Sequence, residues 1–551
     1  MNRAEVVRLD GAPGVGKTTR LFELVEEEKE RGTALSELYY LTFARSGRSE
    51  SADRLAEVYE SADLSDIKKR AKTFHGAACV ASLIGGVLDD VGVQVIQRGL
   101  DDGVYRQFAT SKGMSYTGEK DVLRAAGDGK EPEGYADTLF AINDYLTLTR
   151  KPPEKYHHAP VNLPLPRDRV VSLLEAWDEF KRGARDARLF EHGDYVDEAI
   201  EQTLLPPACV LFIDEFQDLS PQEYLLFKTW RDSGEVDRIY IAGDPQQSIY
   251  SFRAGSPVYF EETEAAETEV RKKSYRCPEE IVNAARSVLD SSPEGGARGF
   301  EAASPGGDVS ETSLSTPGDL ASVVNSALAA HESRGSDATV FLLTRANYQA
   351  YQITRALRET GIPFEWLGSR RGVWAQPMPA LLDALRSMKR GTGGVDRDAA
   401  HKLLAHAPAE NQRRRALGDP LGDVYPVEQL GSAFADCENV EEVARLLELP
   451  AWKTDVLAAA ASSVSETSAA RVRVGTIHSA KGLEAPCVVL FDAYTPRLSE
   501  MYDSGENTAE EHRLYYVGVT RASKSLIVAR DYFTGPTTPI LEELAGMGVR
   551  A

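Results

Sequence analysis

The sequence predicts an α/β protein built on two parallel-sheet cores, each interrupted once by a mainly helical insertion. Three observations lead there. Apolar runs of about five residues alternate with helical stretches, as strands of a parallel sheet covered on both faces require. That alternation lapses twice, over roughly 91–190 and 373–468. At 551 residues the chain is also long enough for several compact units, each with its own core.

The elements follow in order. Glu5–Leu9 (EVVRL) is a short apolar strand, followed by a glycine-rich loop and a helix expected over Lys17–Arg31, closed by Gly32. Leu38–Phe43, Cys209–Ile213 and Arg238–Ala242 read as further strands. Between them helix formers dominate, as in Tyr135–Arg150 and Arg169–Arg188. SSPEGGARGFEAASPGG, at 291–307, predicts a surface loop or linker. Strand and helix patterns resume at Ala338–Thr344 and Tyr348–Thr360. A second helical stretch and the Ser/Ala-rich ASSVSETSAA come next, before the strand Arg471–Thr476. The expected division is therefore 1–90 with 191–270 as the first core and 91–190 as its insertion. The second core is 271–372 with 469–551, interrupted by 373–468. No repeat of solenoid period is present.

Composition narrows the class. The longest apolar runs are far too short to span a bilayer and no targeting segment is visible, so a soluble cytoplasmic protein without membrane contact is expected. The five cysteines are scattered without a CxxC pair, which speaks against zinc sites and disulfide frameworks. Net charge is −22, from 85 acidic and 63 basic residues, and 44 of the basic ones are Arg against 19 Lys. Such acidity excludes a generally basic coat for nucleic acid but permits a narrow cationic channel. Few lysines beside abundant Asp and Glu resemble the composition of proteins from salt-rich cytoplasm.

The loop itself carries chemistry. Gly11-Ala12-Pro13-Gly14-Val15-Gly16-Lys17-Thr18 matches G-x-x-x-x-G-K-[ST] between a strand and a helix, the context this phosphate-binding loop requires. Glycines let backbone N–H groups turn inward around phosphate oxygens, and the helix N-terminus adds a positive dipole. With Thr19 these residues form the candidate ATP-binding set, Lys17 reaching the β- and γ-phosphates and the Thr18 hydroxyl serving Mg²⁺. Such a loop needs carboxylates at the end of another strand, and Leu211-Phe212-Ile213-Asp214-Glu215 supplies them. Asp214 is the expected Mg²⁺ partner and Glu215 the general base for the attacking water.

From Asp214-Glu215-Phe216-Gln217-Asp218 onward the chain resembles a superfamily 1 DNA helicase of the UvrD/Rep/PcrA type, a family of two RecA-like cores within the P-loop NTPases. Its motifs occur in that family's order from residue 11 to residue 522. GDPQQSIYSFRAG, Gly243–Gly255, resembles the third motif. There the resemblance makes Gln247 a γ-phosphate sensor and turns Tyr250, Phe252 and Arg253 toward the DNA strand. Ser274-Tyr275-Arg276 is similar to the fourth, with Tyr275 on adenine and Arg276 on the γ-phosphate. VGTIHSAKGLE, Val474–Glu484, matches the fifth, where Thr476 and His478 would touch the DNA backbone and Glu484 the ribose. EHRLYYVGVTRA, Glu511–Ala522, looks like the sixth, with Arg521 as arginine finger. Leu41-Thr42-Phe43-Ala44 and Thr73-Phe74-His75-Gly76 resemble two shorter segments, implying DNA contacts by Thr42, Phe43 and His75. The nearby Lys68, Lys69, Arg70 and Lys72 suit either a phosphate track or a solvated helix face.

The resemblance implies ATP and Mg²⁺ as cofactors, and single-stranded DNA and single/double-strand junctions as partners. It also implies 3′–5′ movement with ATP held between the cores. The family's adenine-reading Gln segment has no counterpart in the ten residues before Gly11. The second insertion is short for the larger members. Three other activities fit the same motifs: a single-strand translocase that leaves duplexes paired, an ATP-gated DNA-binding switch, and a helicase acting on RNA.

Overall fold

A computed structural model describes residues 3–43, 45–84, 93–98, 100–119, 122–123, 134–183, 188–296, 299–332, 339–368, 377–391, 393–408, 413, 417, 423–449, 451–462, 471–505 and 507–546. Most of ASSVSETSAA lies outside the described residues. The chain forms two compact units. One comprises Met1–Val282, Leu289–Pro305 and Glu500–Tyr516; the other comprises Asn283–Val288, Gly306–Ser499 and Val517–Ala551.

In the first unit the strands are β1 (Glu5–Gly11), β2 (Leu38–Thr42), β3 (Ala71–Thr73), β4 (Val93–Val95), β5 (Arg188–Phe190), β6 (Val210–Ile213), β7 (Arg238–Gly243) and β8 (Glu267–Arg271). Six of them make an all-parallel sheet in the order β3-β2-β6-β7-β1-β8. Its central strands β2 and β6 are buried throughout, and their successive side chains enter different cores. Leu38, Tyr40 and Phe212 join Leu21 and Val25 of the helix Lys17–Glu30 on one face. Tyr39, Leu41, Leu211 and Ile213 join Phe227 and Trp230 on the other. This is the doubly covered sheet that the apolar runs predict.

The insertion has a core of its own around Phe108, Phe140 and Trp177. Its last helix ends earlier than expected: it runs Arg167–Arg182, with Gly183 at its C-cap. Arg188 is not helical but opens β5, which pairs in parallel with β4.

Two short strands follow in the chain, β9 (Lys273–Ser274) and β10 (Glu301–Ala302), paired with each other. The second unit holds β11 (Asp308–Ser313), β12 (Val340–Thr344), β13 (Glu365–Trp366), β14 (Gly394–Asp396), β15 (Val424–Pro426), β16 (Val472–Thr476), β17 (Ala485–Phe491) and β18 (Ala522–Arg530). Its six-stranded parallel sheet has the order β11-β18-β17-β12-β16-β13. The antiparallel pair β14–β15 sits within the helical stretch Met378–Ser462, whose apolar side chains share one core with the sheet.

The start of the second core differs from the expectation at 271. β8 completes the first sheet, its last residue Arg271 paired with Gly11, and the chain stays with the first unit as far as Val282. The second sheet begins at Asp308. Glu500–Tyr516 likewise packs with the first unit.

Candidate functional site

The loop after β1 owes its shape to two glycines. Gly14 and Gly16 adopt φ of 71° and 79°, a left-handed conformation that other residues take only with strain. A Cβ on Gly14 would also lie 2.4 Å from the Arg276 Cβ and 2.8 Å from the Ser274 Oγ. Ser274 Oγ donates to the Pro13 carbonyl at 2.8 Å, and the Tyr275 N–H to the Gly14 carbonyl at 2.9 Å. Ser274 and Tyr275 are thereby stitched to the loop, with Arg276 next in the chain, and the Tyr275 ring is left 74% exposed beside it. Lys17 Nζ curls back to donate to the Gly11 and Ala12 carbonyls at 2.6 and 3.2 Å. No acid stands in the first turn of Lys17–Glu30, so nothing there opposes a bound anion.

Across the sheet, Thr18 Oγ1 donates to Asp214 Oδ2 at 2.9 Å, and Tyr40 Oη approaches the same oxygen at 3.3 Å. Burial, with Glu215 alongside, pushes the Asp214 carboxyl up to about 6. Thr18 and Asp214 therefore present adjacent oxygens of the hard kind that Mg²⁺ takes. Among the described residues no group of three or more His, Cys, Asp or Glu could hold a metal by itself, so phosphate and water would complete any such shell.

Glu215 sits at φ 57°. Gln217 Nε2 donates to its carboxylate at 2.5 Å, and Gln217 Oε1 accepts the Asp244 N–H at 3.0 Å. Asp244 in turn accepts from Gln247 Nε2 at 2.8 Å. Buried Gln217 thus joins the acid after β6 to the amide after β7.

At the same end of the sheet an aromatic cluster gathers. Phe43 stacks on Tyr250 with centroids 5.0 Å apart and planes inclined at 25°, and Phe252 meets Tyr250 edge-on at 5.8 Å. The Arg253 guanidinium lies 5.3 Å from the centre of the Phe43 ring. His75 lies close by, its Nδ1 3.5 Å from Glu223 Oε1; burial is the main cause of its lowered pKa, with Arg253 adding to it. Thr42, at the end of β2, is buried. Glu510 holds the turn Ser251–Arg253, accepting from both the N–H and the hydroxyl of Ser251. Arg513 Nε donates to the Ser248 carbonyl at 3.0 Å. The cluster of basic residues before β3 is engaged locally, Lys69 with Asp66 at 2.7 Å and Arg70 over the Tyr39 ring.

In the second unit Thr476 ends β16 and its hydroxyl accepts the Ser479 N–H at 3.4 Å. His478 is buried one turn on, while Glu484 is exposed. Arg521 is fully buried, donating through Nε to the Val517 carbonyl at 3.0 Å and through Nη1 to the Leu483 carbonyl at 3.1 Å.

Residues 401–531 match the model of the UvrD-like helicase C-terminal domain, and residues 1–253 match an AAA domain model. The chain is similar to the ATP-dependent DNA helicase UvrD2 of Mycobacterium tuberculosis, 25% identical over 565 residues, covering 96% of this chain and 76% of that one. It resembles DNA helicase II of Escherichia coli with 25% identity over 400 residues, 57% of this chain and 55% of that one. The Mycobacterium tuberculosis ATP-dependent DNA helicase UvrD1 is 23% identical over 474 residues, 66% of this chain and 61% of its own.

Across most of its length the chain is homologous to UvrD-like helicases.

Several residues of this UvrD-like site carry no signal of their own in the sequence. Gln217 and Asp244 lie inside quoted motifs but show their linking role only in three dimensions. Glu510 precedes the sixth motif by one residue. Arg271 lies outside every motif, yet its Nη1 is 3.3 Å from both the Val15 and Gly16 carbonyls. Glu269 orients it at 2.7 Å and also takes Arg20 of the following helix at 3.1 Å. Arg271→Ala is expected to weaken nucleotide binding about three- to tenfold, the worth of roughly one hydrogen bond that stiffens the loop. A titration with a fluorescent ATP analogue checks this, and an unchanged Kd contradicts it.

Proposed function

We propose that this chain is an ATP-dependent DNA helicase that moves 3′ to 5′ on single-stranded DNA and separates strands ahead of it. One observation carries the reading. The loop Gly11–Thr18, Asp214, Glu215 and Gln247 converge at the same end of the first sheet as the aromatic cluster of Phe43, Tyr250 and Phe252. Nucleotide chemistry and a surface suited to bases thus share one scaffold. The turn bearing Gln247 runs directly into the turn bearing Tyr250 and Phe252.

The residues divide the work. Lys17 and the loop N–H groups bind phosphate, and Tyr275 stacks on the base. Glu215 takes a proton from the attacking water while Gln217 fixes its carboxylate. Thr18 and Asp214 would hold Mg²⁺, which neutralises phosphate charge when bound. By their motifs Arg276 and Arg521 stabilise charge on the transferring phosphoryl group, Thr476 and His478 contact the DNA backbone, and Glu484 takes the ribose. Phe43, Tyr250 and Phe252 accept bases without sequence preference, with Arg253 and His75 beside them. Among the described residues no helix is long and apolar enough to cross a membrane.

The test is unwinding of 3′-tailed against 5′-tailed duplexes, with Lys17→Ala as the inactive control. Unwinding from the 3′ tail alone is expected. Preference for the 5′ tail overturns the polarity, and ATP hydrolysis with the duplex left paired makes the protein a translocase only.

A further inference from the structure

The second sheet carries aromatic surface that none of the motifs uses. The helix Asn347–Glu359 starts just after β12, and its first turns put Tyr348 and Tyr351 on one face, 47% and 53% exposed. Tyr351 meets the edge of Trp366 at 5.0 Å, and Trp366 packs in turn on buried Phe364 at 6.4 Å. The platform is therefore anchored from beneath and open above.

Its place in the sheet says what it faces. Trp366, in β13, is in register with Val474, two residues before Thr476. Thr344, the last residue of β12, is in register with Thr476 itself. The tyrosines follow Thr344 by four and seven residues. They thus share one end of the sheet with Thr476 and His478.

Charge points the same way. From Thr344 to Glu359 the chain reads TRANYQAYQITRALRE, with three Arg to one acid in a protein of net charge −22, although Arg345 is buried and Arg355 pairs with Glu359 at 2.8 Å. The N-terminus of the helix adds a partial positive charge at the tyrosine end. An apolar protein segment needs no local cations, whereas a nucleic-acid strand needs both π-faces for its bases and cations for its phosphates.

We propose that Tyr348 and Tyr351, edged by Trp366, form a second stacking platform that takes nucleobases of the single strand on the second unit. The proposal rests on the single-strand reading above and adds to it the residues that grip bases beyond Thr476 and His478.

The full chain is titrated with a fluorescent oligothymidylate and with an abasic deoxyribose-phosphate strand of equal length. Tyr348→Ala/Tyr351→Ala is expected to weaken binding of the base-bearing strand about tenfold or more, as loss of stacking on an aromatic does. Binding of the abasic strand stays as in the parent, and Tyr348→Phe/Tyr351→Phe, which keeps both rings, retains parental affinity for both strands. Equal affinity of the Ala variant and the parent for oligothymidylate overturns the platform while leaving the helicase reading intact. An equal loss on both strands also overturns it, since the tyrosines would then act through phosphate or through the fold. Failure of the parent to bind either strand removes the functional reading and this platform together.

Discussion

Glu215→Gln is expected to cut kcat for strand-stimulated ATP hydrolysis by roughly 10²–10⁴-fold, the usual contribution of a positioned general base. The substitution keeps length and shape. Its amide oxygen can still accept from Gln217 Nε2, so the turn at φ 57° and the link to Asp244 persist. What it removes is the ability to take a proton. Nucleotide affinity, set by Lys17 and the loop backbone, stays at the parental value. Single-turnover hydrolysis beside equilibrium nucleotide binding separates the two effects. Parental hydrolysis by the Gln variant assigns the base elsewhere, and loss of binding with hydrolysis assigns Glu215 to the architecture of the loop.

Glu191→Ala acts on a different quantity. Glu191 is buried in the insertion and accepts from Tyr105 Oη, Trp177 Nε1, Asn143 Nδ2 and Lys181 Nζ at 3.0, 3.0, 3.2 and 3.2 Å. Burial alone would raise its pKa, yet Lys181 and these donors hold it below the ordinary carboxylate value. Lys181 also bonds Asp194 at 2.7 Å, and Glu191 opens the helix His192–Glu201 with a capping box. Removing the carboxylate leaves Lys181 with less compensation and several buried donors without an acceptor, a loss of about 3–5 kcal/mol for a broken buried pair. Urea unfolding followed by tryptophan fluorescence should show an early transition attributable to Trp177. Glu191→Gln, which keeps the hydrogen bonds and drops the charge, should fall between. An unchanged transition in the Ala variant shows that the surrounding aromatic core alone holds the insertion.

The legible parts of this chain were those whose physics is local. The central strands β2, β6, β7, β12 and β16 are buried on both faces, so they stand out as apolar runs. The edge strands were hidden for the converse reason. β8 (ETEVR) and β11 (DVSETS) meet solvent and carry polar side chains, so neither stands out as an apolar run. The phosphate loop and the third to sixth motifs were readable because each packs its chemistry into one short segment. Gln217 and Arg271 were not, since their partners Asp244 and Gly16 lie 27 and 255 residues away and only folding introduces them.

The left-handed backbone at Glu215 sets two demands on that position against each other. A non-glycine residue held there costs about 1–2 kcal/mol, and glycine would relieve it. The same change deletes the carboxylate held by Gln217. A selection that rewards resistance to heat alone would therefore drift toward a sturdier protein that no longer turns over. A Glu rather than a Gly at this turn sets work above endurance.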